Sequence, residues 1–372
     1  MIIGFDGKRA EHNASGLGNY SRDVIKHLAT FHPENSYTLY SPKPGTLFEF
    51  KHPSLSRKYP TTVVNRLASS LWRRKGIVHD LRKDQIELYH GLSNELPSGI
   101  SAFGGKSIVT IHDLIFEHFP EYYSAIDRKI YKEKTQSALK EADVLIAISE
   151  QTKRDLVDIY GAEKNKIRVV YQSCHAAFQK KVKPETVEQI RLGYQLPKQY
   201  FLQVGTLEPR KNALTSLRAL ALLDKEHLVF IGKKTDHLKE LEAEIERLKL
   251  GQRVHFLENV PVSFLPALYA GATASLYPSY FEGFGIPIIE SLFSGTPVIT
   301  NKEGCFAEGG GKHALYVDVK DAEALSEAMK QMLNAEVPTA LMTGADAHLS
   351  QFTDRTTTEE LMKVYSDAMN AH

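Results

Sequence analysis

The chain has 372 residues, a formal net charge of +1, 42% hydrophobic and 24% charged residues. That composition excludes a disordered, collagen-like or low-complexity polymer, the length allows two domains, and near-neutrality argues against nucleic acid as the main partner. Two cysteines, Cys174 and Cys305, make neither a disulfide framework nor a spaced zinc motif, and a chain of this size needs no such staple.

Short β-branched runs at 2–5, 37–40, 86–90, 107–111, 144–148 and 167–171 predict strands, with helices at 127–142 and 150–160 between them. Alternation of this kind implies parallel strands joined by crossover helices. Residues 172–183 lack either period and lead into Pro184, which reads as a linker. A second series follows: strands at 200–204, 228–231, 254–257, 274–277 and 298–300, and helices at 213–223, 238–250, 287–293 and 322–333. The tail, 354–372, is helical in pattern with Leu361, Val364, Tyr365 and Ala368 on one face, and its open docking surface is the first domain. The fold class expected is therefore α/β, with two doubly wound, Rossmann-like parallel-sheet domains at 1–180 and 181–353 facing a central cleft, and a C-terminal helix, 354–372, returning to the N-terminal domain.

The ten opening residues hold an apolar stretch too short for a secretory leader, and no run of 18 apolar residues occurs, so the chain reads as cytoplasmic or peripheral on the inner membrane face. Charge is uneven. Residues 1–180 hold 26 Lys+Arg against 20 Asp+Glu, and 43–75 alone hold eight cations against Glu49. That stretch, ending in Trp72-Arg73-Arg74-Lys75, reads as a contact for an anionic membrane, as a solvated basic face, or as a guide for an anionic acceptor.

Ligands of open α/β sheets sit at the carboxyl ends of strands, so motifs placed there are the candidates. Gly16-Leu17-Gly18-Asn19-Tyr20-Ser21 lies in the loop after the first strand and opens a helix. It has Ser21 where a dinucleotide fingerprint needs its third glycine, and no acid follows at the required distance, so it is equally well a flexible turn. His112-Asp113 ends the strand 107–111; a neutral imidazole there either meets a substrate hydroxyl or is satisfied within the protein. Gly205-Thr206-Leu207-Glu208-Pro209-Arg210-Lys211-Asn212 places two cations before a helix, against its dipole. A diphosphate offsets that cost better than solvent does. The most distinctive block runs from Pro278 to Ser291, with Glu282 among Gly283, Phe284 and Gly285 and with Glu290 eight residues on, inside an apolar helix. A carboxylate in those surroundings needs donors, supplied either by ribose hydroxyls or by local backbone.

Taken in order, the Gly-rich first loop, His112-Asp113, Ala147-Ile148-Ser149-Glu150 with Thr152-Lys153, the 205–212 loop and the Glu282-to-Glu290 block resemble glycosyltransferase family 4, the retaining GT-B group, in its bacterial mannosyltransferase-like branch. The resemblance implies a sugar-nucleotide donor on the C-terminal domain, GDP-mannose in this branch, and an oligosaccharide or lipid-linked glycan acceptor on the N-terminal domain. By that analogy Glu290 holds the ribose, and Glu282 with the amides of Gly283, Phe284 and Gly285 holds the donor sugar. Arg210 and Lys211, beside Gly205 and Thr206, neutralise the diphosphate, and His112 touches the sugar near its reacting face. Gly16 and Gly18 close over the phosphates or acceptor, and the base rests near Leu257, Glu258 and Val260.

Two departures stand out. Thr206 occupies a position where many relatives carry arginine, and Ala307-Glu308-Gly309-Gly310-Gly311 replaces a Pro-Glu pair in a loop expected near the nucleotide sugar. No Asp-x-Asp follows a strand, so no metal and no cofactor are expected. The rival readings are a sugar-nucleotide epimerase of the same architecture, a nicotinamide dehydrogenase, and a non-catalytic nucleotide-sugar-binding subunit.

Overall fold

Strand-helix alternation resolves into two wholly parallel sheets in the computed structural model, which describes residues 1–371. The first sheet comprises β1 (Ile2–Asp6), β2 (Ser36–Tyr40), β3 (Leu55–Lys58), β4 (Leu88–Gly91), β5 (Lys106–Ile111), β6 (Val144–Ala147) and β7 (Ile167–Val169), in the order β3-β2-β1-β4-β5-β6-β7. The second comprises β8 (Phe201–Val204), β9 (Leu228–Ile231), β10 (Val254–Leu257), β11 (Ala274–Tyr277), β12 (Val298–Asn301) and β13 (Ala314–Val317), in the order β10-β9-β8-β11-β12-β13. Strand order reverses beside β1 in one sheet and beside β8 in the other, which marks a switch point in each. Central strands such as β4 and β9 are buried at every residue, as expected where helices cover both faces.

The helices that matter below are α1 (Gly16–Phe31), α2 (Val63–Leu67), α3 (Ile77–Lys83), α4 (Ala125–Glu141), α5 (Glu150–Tyr160), α6 (Ala213–Ala221), α7 (Leu238–Arg247), α8 (Ile286–Phe293), α9 (Ala322–Leu333) and α10 (Asp354–Asn370). Local chemistry sets their ends. Ser149 caps α5 by accepting the Thr152 amide at 3.0 Å, and Gly161 ends it in the left-handed region at φ 63°. Asp321 likewise caps α9.

The chain divides into one unit of Met1–Gln172 with the segment from Asp354 onward, and a second of Ser173–Thr353. In the first, α10 lies on α1 and lends Leu361, Val364, Tyr365 and Ala368 to a core with Ile3, Phe5, Ile25 and Leu28. The Tyr365 hydroxyl and Nδ1 of buried His90 share a hydrogen bond of 2.6 Å. In the second unit Leu217 and Leu220 of α6 and Met329 of α9 pack on Phe201, Phe230 and Leu276.

Gly16 and Gly18 sit in the first turn of α1, the helix their motif was expected to open; two other expectations change. A Cβ on Gly18 would lie 1.8 Å from the Asn13 carbonyl oxygen, so that glycine permits a close chain approach. Residues Phe306–Gly310 form a short helix, not a loop. The basic stretch is not one solvated face either. Trp72 is buried with its indole N–H on Asp80 at 2.7 Å, and Arg73 is half-buried, paired with Asp6 and Glu95. Arg57 turns inward to Glu11 and to two backbone carbonyls.

Candidate active site

In the second unit the site is built from the carboxyl ends of β8 and β11. After β8 the chain turns at Gly205, φ 146°, whose carbonyl oxygen would lie 1.9 Å from any Cβ on Gly232. The two loops after β8 and β9 therefore pass backbone to backbone. A single turn, Pro209–Lys211, follows and ends at Asn212 with φ 56°, a conformation asparagine tolerates. That turn aims both cations at the loop after β11.

Glu282 lies between them. Its Oε1 is 2.6 Å from Arg210 Nη1 and 2.6 Å from Lys211 Nζ. Arg210 also donates to the Phe281 carbonyl and to Glu208, each at 2.6 Å. Lys211 donates to the Tyr277 hydroxyl at 3.0 Å and stands over that ring, 5.0 Å from its centroid. Burial pushes the Glu282 carboxyl up, but Lys211 and Arg210 outweigh it and hold its pKa at about 2. The expected phosphate pair is thus a closed ionic cluster in the ligand-free chain, with each cation already holding a carboxylate.

Asn212 fastens this cluster and escaped the sequence reading. Its Nδ2 donates to the carbonyls of Pro278 at 3.2 Å and Val319 at 2.7 Å, and its Oδ1 accepts from Thr215 and Tyr280. The only sequence signal was its adjacency to Lys211. Behind it the Gln203 amide donates to the Lys211 carbonyl at 2.9 Å and accepts from Ser216.

Downstream, Gly285 starts α8 at φ 99°, a backbone state that excludes most side chains. The Cys305 thiol donates to the Glu282 and Phe284 carbonyls, which fixes the loop carrying Gly283. Glu290 projects from the middle of α8. Its one polar side-chain contact among the described residues is the Tyr269 hydroxyl, donating at 3.3 Å. Burial raises its carboxyl to about 7, and that hydrogen bond offsets only part of the rise. A poorly satisfied carboxyl of this kind is suited to a ligand that brings donors.

The remaining candidates spread out. Leu257 ends the edge strand β10, Glu258 is exposed and paired with Lys234 at 3.2 Å, and Val260 is half-buried. Thr206 follows Gly205, outside the ionic cluster. In the first unit His112 is buried after β5. Its Nε2 donates to the Leu92 carbonyl at 2.9 Å, leaving Nδ1 as acceptor with the Gln172 amide 3.5 Å away. The Tyr20 ring meets it edge-on at 4.7 Å. Burial lowers its pKa to about 4, so the imidazole is neutral at neutral pH. Gly18 is buried under the Arg22 side chain, which donates to the Ala10 and Asn13 carbonyls, while Gly16 has open space around it.

Residues 14–174 match Glycosyltransferase Family 4 and residues 187–348 match Glycosyl transferases group 1. O-antigen chain mannosyltransferase B of Escherichia coli is 27% identical over 392 residues, covering 98% of this chain and 99% of that protein. O-antigen chain mannosyltransferase RfbU of Salmonella typhimurium is 30% identical over 227 residues, 60% of each. The crystal structure of Anabaena HepE in complex with UDP and glucose superposes with a TM-score of 0.77 at 18% identity, covering 98% of this chain and 99% of that one.

Proposed function

The chain belongs to the family 4 glycosyltransferases, and from that premise we propose that it moves mannose from GDP-mannose to a glycan or lipid-linked glycan during polysaccharide assembly, with retention of anomeric configuration. The family assignment rests on two matches that together span most of the chain. The mannosyl donor follows two O-antigen mannosyltransferase relatives. The observation that carries the chemistry is the half-buried Arg210–Lys211–Glu282 cluster with the under-satisfied Glu290 on the adjoining helix.

In this reading the diphosphate takes over Arg210 and Lys211 from Glu282. Glu282 then turns to the sugar together with the backbone at Gly283, Phe284 and Gly285, while Glu290 accepts from the ribose hydroxyls. As the C1–O bond to the diphosphate breaks, the acceptor oxygen bonds to C1 on the same face. Its proton passes to the departing phosphate oxygen. The two cations stabilise the negative charge that grows there, and this replaces the service a metal gives in other transferases. On the N-terminal domain neutral His112 offers Nδ1 to a sugar hydroxyl. Gly16, at the open start of α1, lines the acceptor side, while Gly18 serves packing. In this reading Leu257 and Val260 meet the base.

Lys211→Ala should lower kcat for transfer by about 100-fold, a few kcal/mol of transition-state stabilisation. A loss under about threefold removes Lys211 from the mechanism. Activity abolished by EDTA and restored by magnesium counts against the metal-free step. A UDP-sugar is the second reading, since the HepE structure holds UDP. Thermal-shift titration with GDP, UDP and ADP decides between them, because only the cognate nucleotide stabilises by mass action.

A further inference from the structure

Four polar groups lie end to end in the core of the first unit, and the transfer step as described uses none of them. The Tyr365 hydroxyl of α10 and His90 Nδ1 on β4 are 2.6 Å apart, His90 Nε2 and the Thr110 hydroxyl on β5 2.8 Å, and the Thr110 and Tyr20 hydroxyls 3.0 Å. Tyr365, His90 and Thr110 are fully buried, and Tyr20, near the start of α1, is half-buried. Burying an imidazole and three hydroxyls carries a desolvation penalty that apolar side chains of the same shape avoid. What a fully paired chain gives in return is one fixed arrangement of the elements it joins.

Burial keeps His90 neutral, its pKa lowered to about 3. A neutral imidazole donates at one nitrogen and accepts at the other, so the hydroxyls of Tyr365 and Thr110 are held to opposite roles. The link from α10 to β5 is therefore directional, and its far end is the Tyr20 hydroxyl.

Tyr20 in turn walls His112. Its ring meets the imidazole edge-on, with centroids 4.7 Å apart and planes at 88°. The other restraint on that imidazole is the Leu92 carbonyl, which accepts from Nε2 at 2.9 Å. Both restraints trace to the chain, because Leu92 follows His90 by two residues and Thr110 precedes His112 by two. The Gln172 amide, 3.5 Å from Nδ1, is at the limit of hydrogen bonding and does not lock the ring. A torsion of this kind has a broad well, so a packed neighbour must set it.

We propose that Tyr20 is a positioning residue: its hydroxyl, moored through Thr110 and His90 to Tyr365, keeps its ring where it orients the His112 imidazole for transfer. The inference rests on the reading of His112 as a sugar contact. It gives the Asn19-Tyr20-Ser21 end of the first motif, and the returning helix α10, a part in the reaction.

The test uses the full chain with histidines labelled at ¹³Cε1, and turnover read as GDP released from GDP-mannose or UDP released from UDP-glucose. Loss of one signal in His112→Gln assigns the His112 resonance. Tyr20→Phe and Tyr365→Phe keep the rings and remove one hydroxyl each. Each should lower kcat about 10-fold and change KM for the nucleotide sugar less than about twofold, because a loosened imidazole is misaligned for the transition state without losing the donor. Thr110→Val breaks the chain at its middle and replaces Tyr365→Phe if that variant melts early. Leu361→Ala removes packing from the same face of α10 and leaves the four polar groups in place, so it should melt early yet keep the parental kcat where it is folded. Tyr20→Leu should remove the ring's displacement of the His112 signal and admit water to the imidazole, raising its pKa from about 4 toward the ordinary 6.5. Arg9, after β1, adds to the lowering and stays in every variant. His90 on β4 remains neutral, as does the Tyr20 hydroxyl, which burial pushes up to about 12. Parental kcat in both Phe variants beside a slow His112→Gln overturns this proposal alone. Leu361→Ala as slow as Tyr365→Phe at equal folded fraction overturns it too, since lost stability then accounts for both. Parental kcat in His112→Gln overturns the sugar contact, and the proposal falls with it. Where neither donor is turned over, a His112 signal and pKa unmoved by Tyr20→Leu overturn the positioning itself.

Discussion

Glu290 holds a carboxyl inside an apolar helix with one weak donor, and the sign of its titration follows. Its folded pKa, about 7, lies above the ordinary 4.5, so between these values the folded state binds more protons than the unfolded one. Stability therefore falls as pH rises through that window, and the cost is complete above about 7. Glu290→Gln should make the ligand-free protein more stable at pH 8 by roughly 2–4 kcal/mol and no more stable at about pH 4. The same group should tie donor binding to a proton. Ribose hydroxyls donate to the ionised form, so nucleotide affinity should rise about tenfold from pH 6 to 8, with a fraction of a proton released on binding at pH 6. Calorimetry in buffers of different ionisation enthalpy measures that release. An affinity flat across this range places the ribose elsewhere. The two glutamates, eight residues apart, were legible because an acid between Ile289 and Ser291 conflicts with the pattern around it. Their states were not: Glu282 sits low because of Lys211 and Arg210, which are distant in sequence, and Glu290 sits high because burial by the fold outweighs its one hydrogen bond, to Tyr269.

Among elements, the 205–212 turn and the loop after β11 act as one piece because Asn212 joins them. Removing its amide orphans the buried Pro278 and Val319 carbonyls and the hydroxyls of Thr215 and Tyr280. It also puts a Cβ residue without a local hydrogen bond at φ 56°. Asn212→Ala should lower unfolding stability by roughly 3 kcal/mol or more, read by urea titration. It should also lower kcat more than it raises KM, since the Arg210–Lys211 pair loses its setting. A variant with parental stability shows that the turn holds itself. Most elements could be read in advance, because β8 to β12 and helices such as α5 and α9 obey their periods and caps. The edge strand β3 could not: Leu55-Ser56-Arg57-Lys58 has one apolar residue, and its pairing with β2 is supplied by the sheet, not by propensity. The reason for Gly18 was not legible either. Close passage of the chain at Asn13, not loop flexibility, dictates Gly18.

At the scale of the whole molecule the last helix belongs to the first unit, and each unit keeps its own hydrophobic clusters. Units with separate cores unfold as separate cooperative steps unless a large apolar interface couples them. Two perturbations should therefore act on different transitions. Tyr365 is buried in α10 among Phe5-side core residues and holds His90, so Tyr365→Ala should lower the first unit's transition by roughly 3–5 kcal/mol. The cognate nucleotide, present at about 100 times its Kd, should raise the other transition by about 2.7 kcal/mol. The reason is that Arg210, Lys211, Glu282 and Glu290 all lie between Ser173 and Thr353. Denaturant titration of the parent and of Tyr365→Ala, each with and without nucleotide, separates the two effects. If two transitions are resolved and the nucleotide raises the one that Tyr365→Ala lowers, the donor is held by the first unit and the assignment of those four side chains fails. If only a single transition is seen and it responds to both, the units unfold as one cooperative block, and the nucleotide test then has to be made by substituting the four side chains themselves.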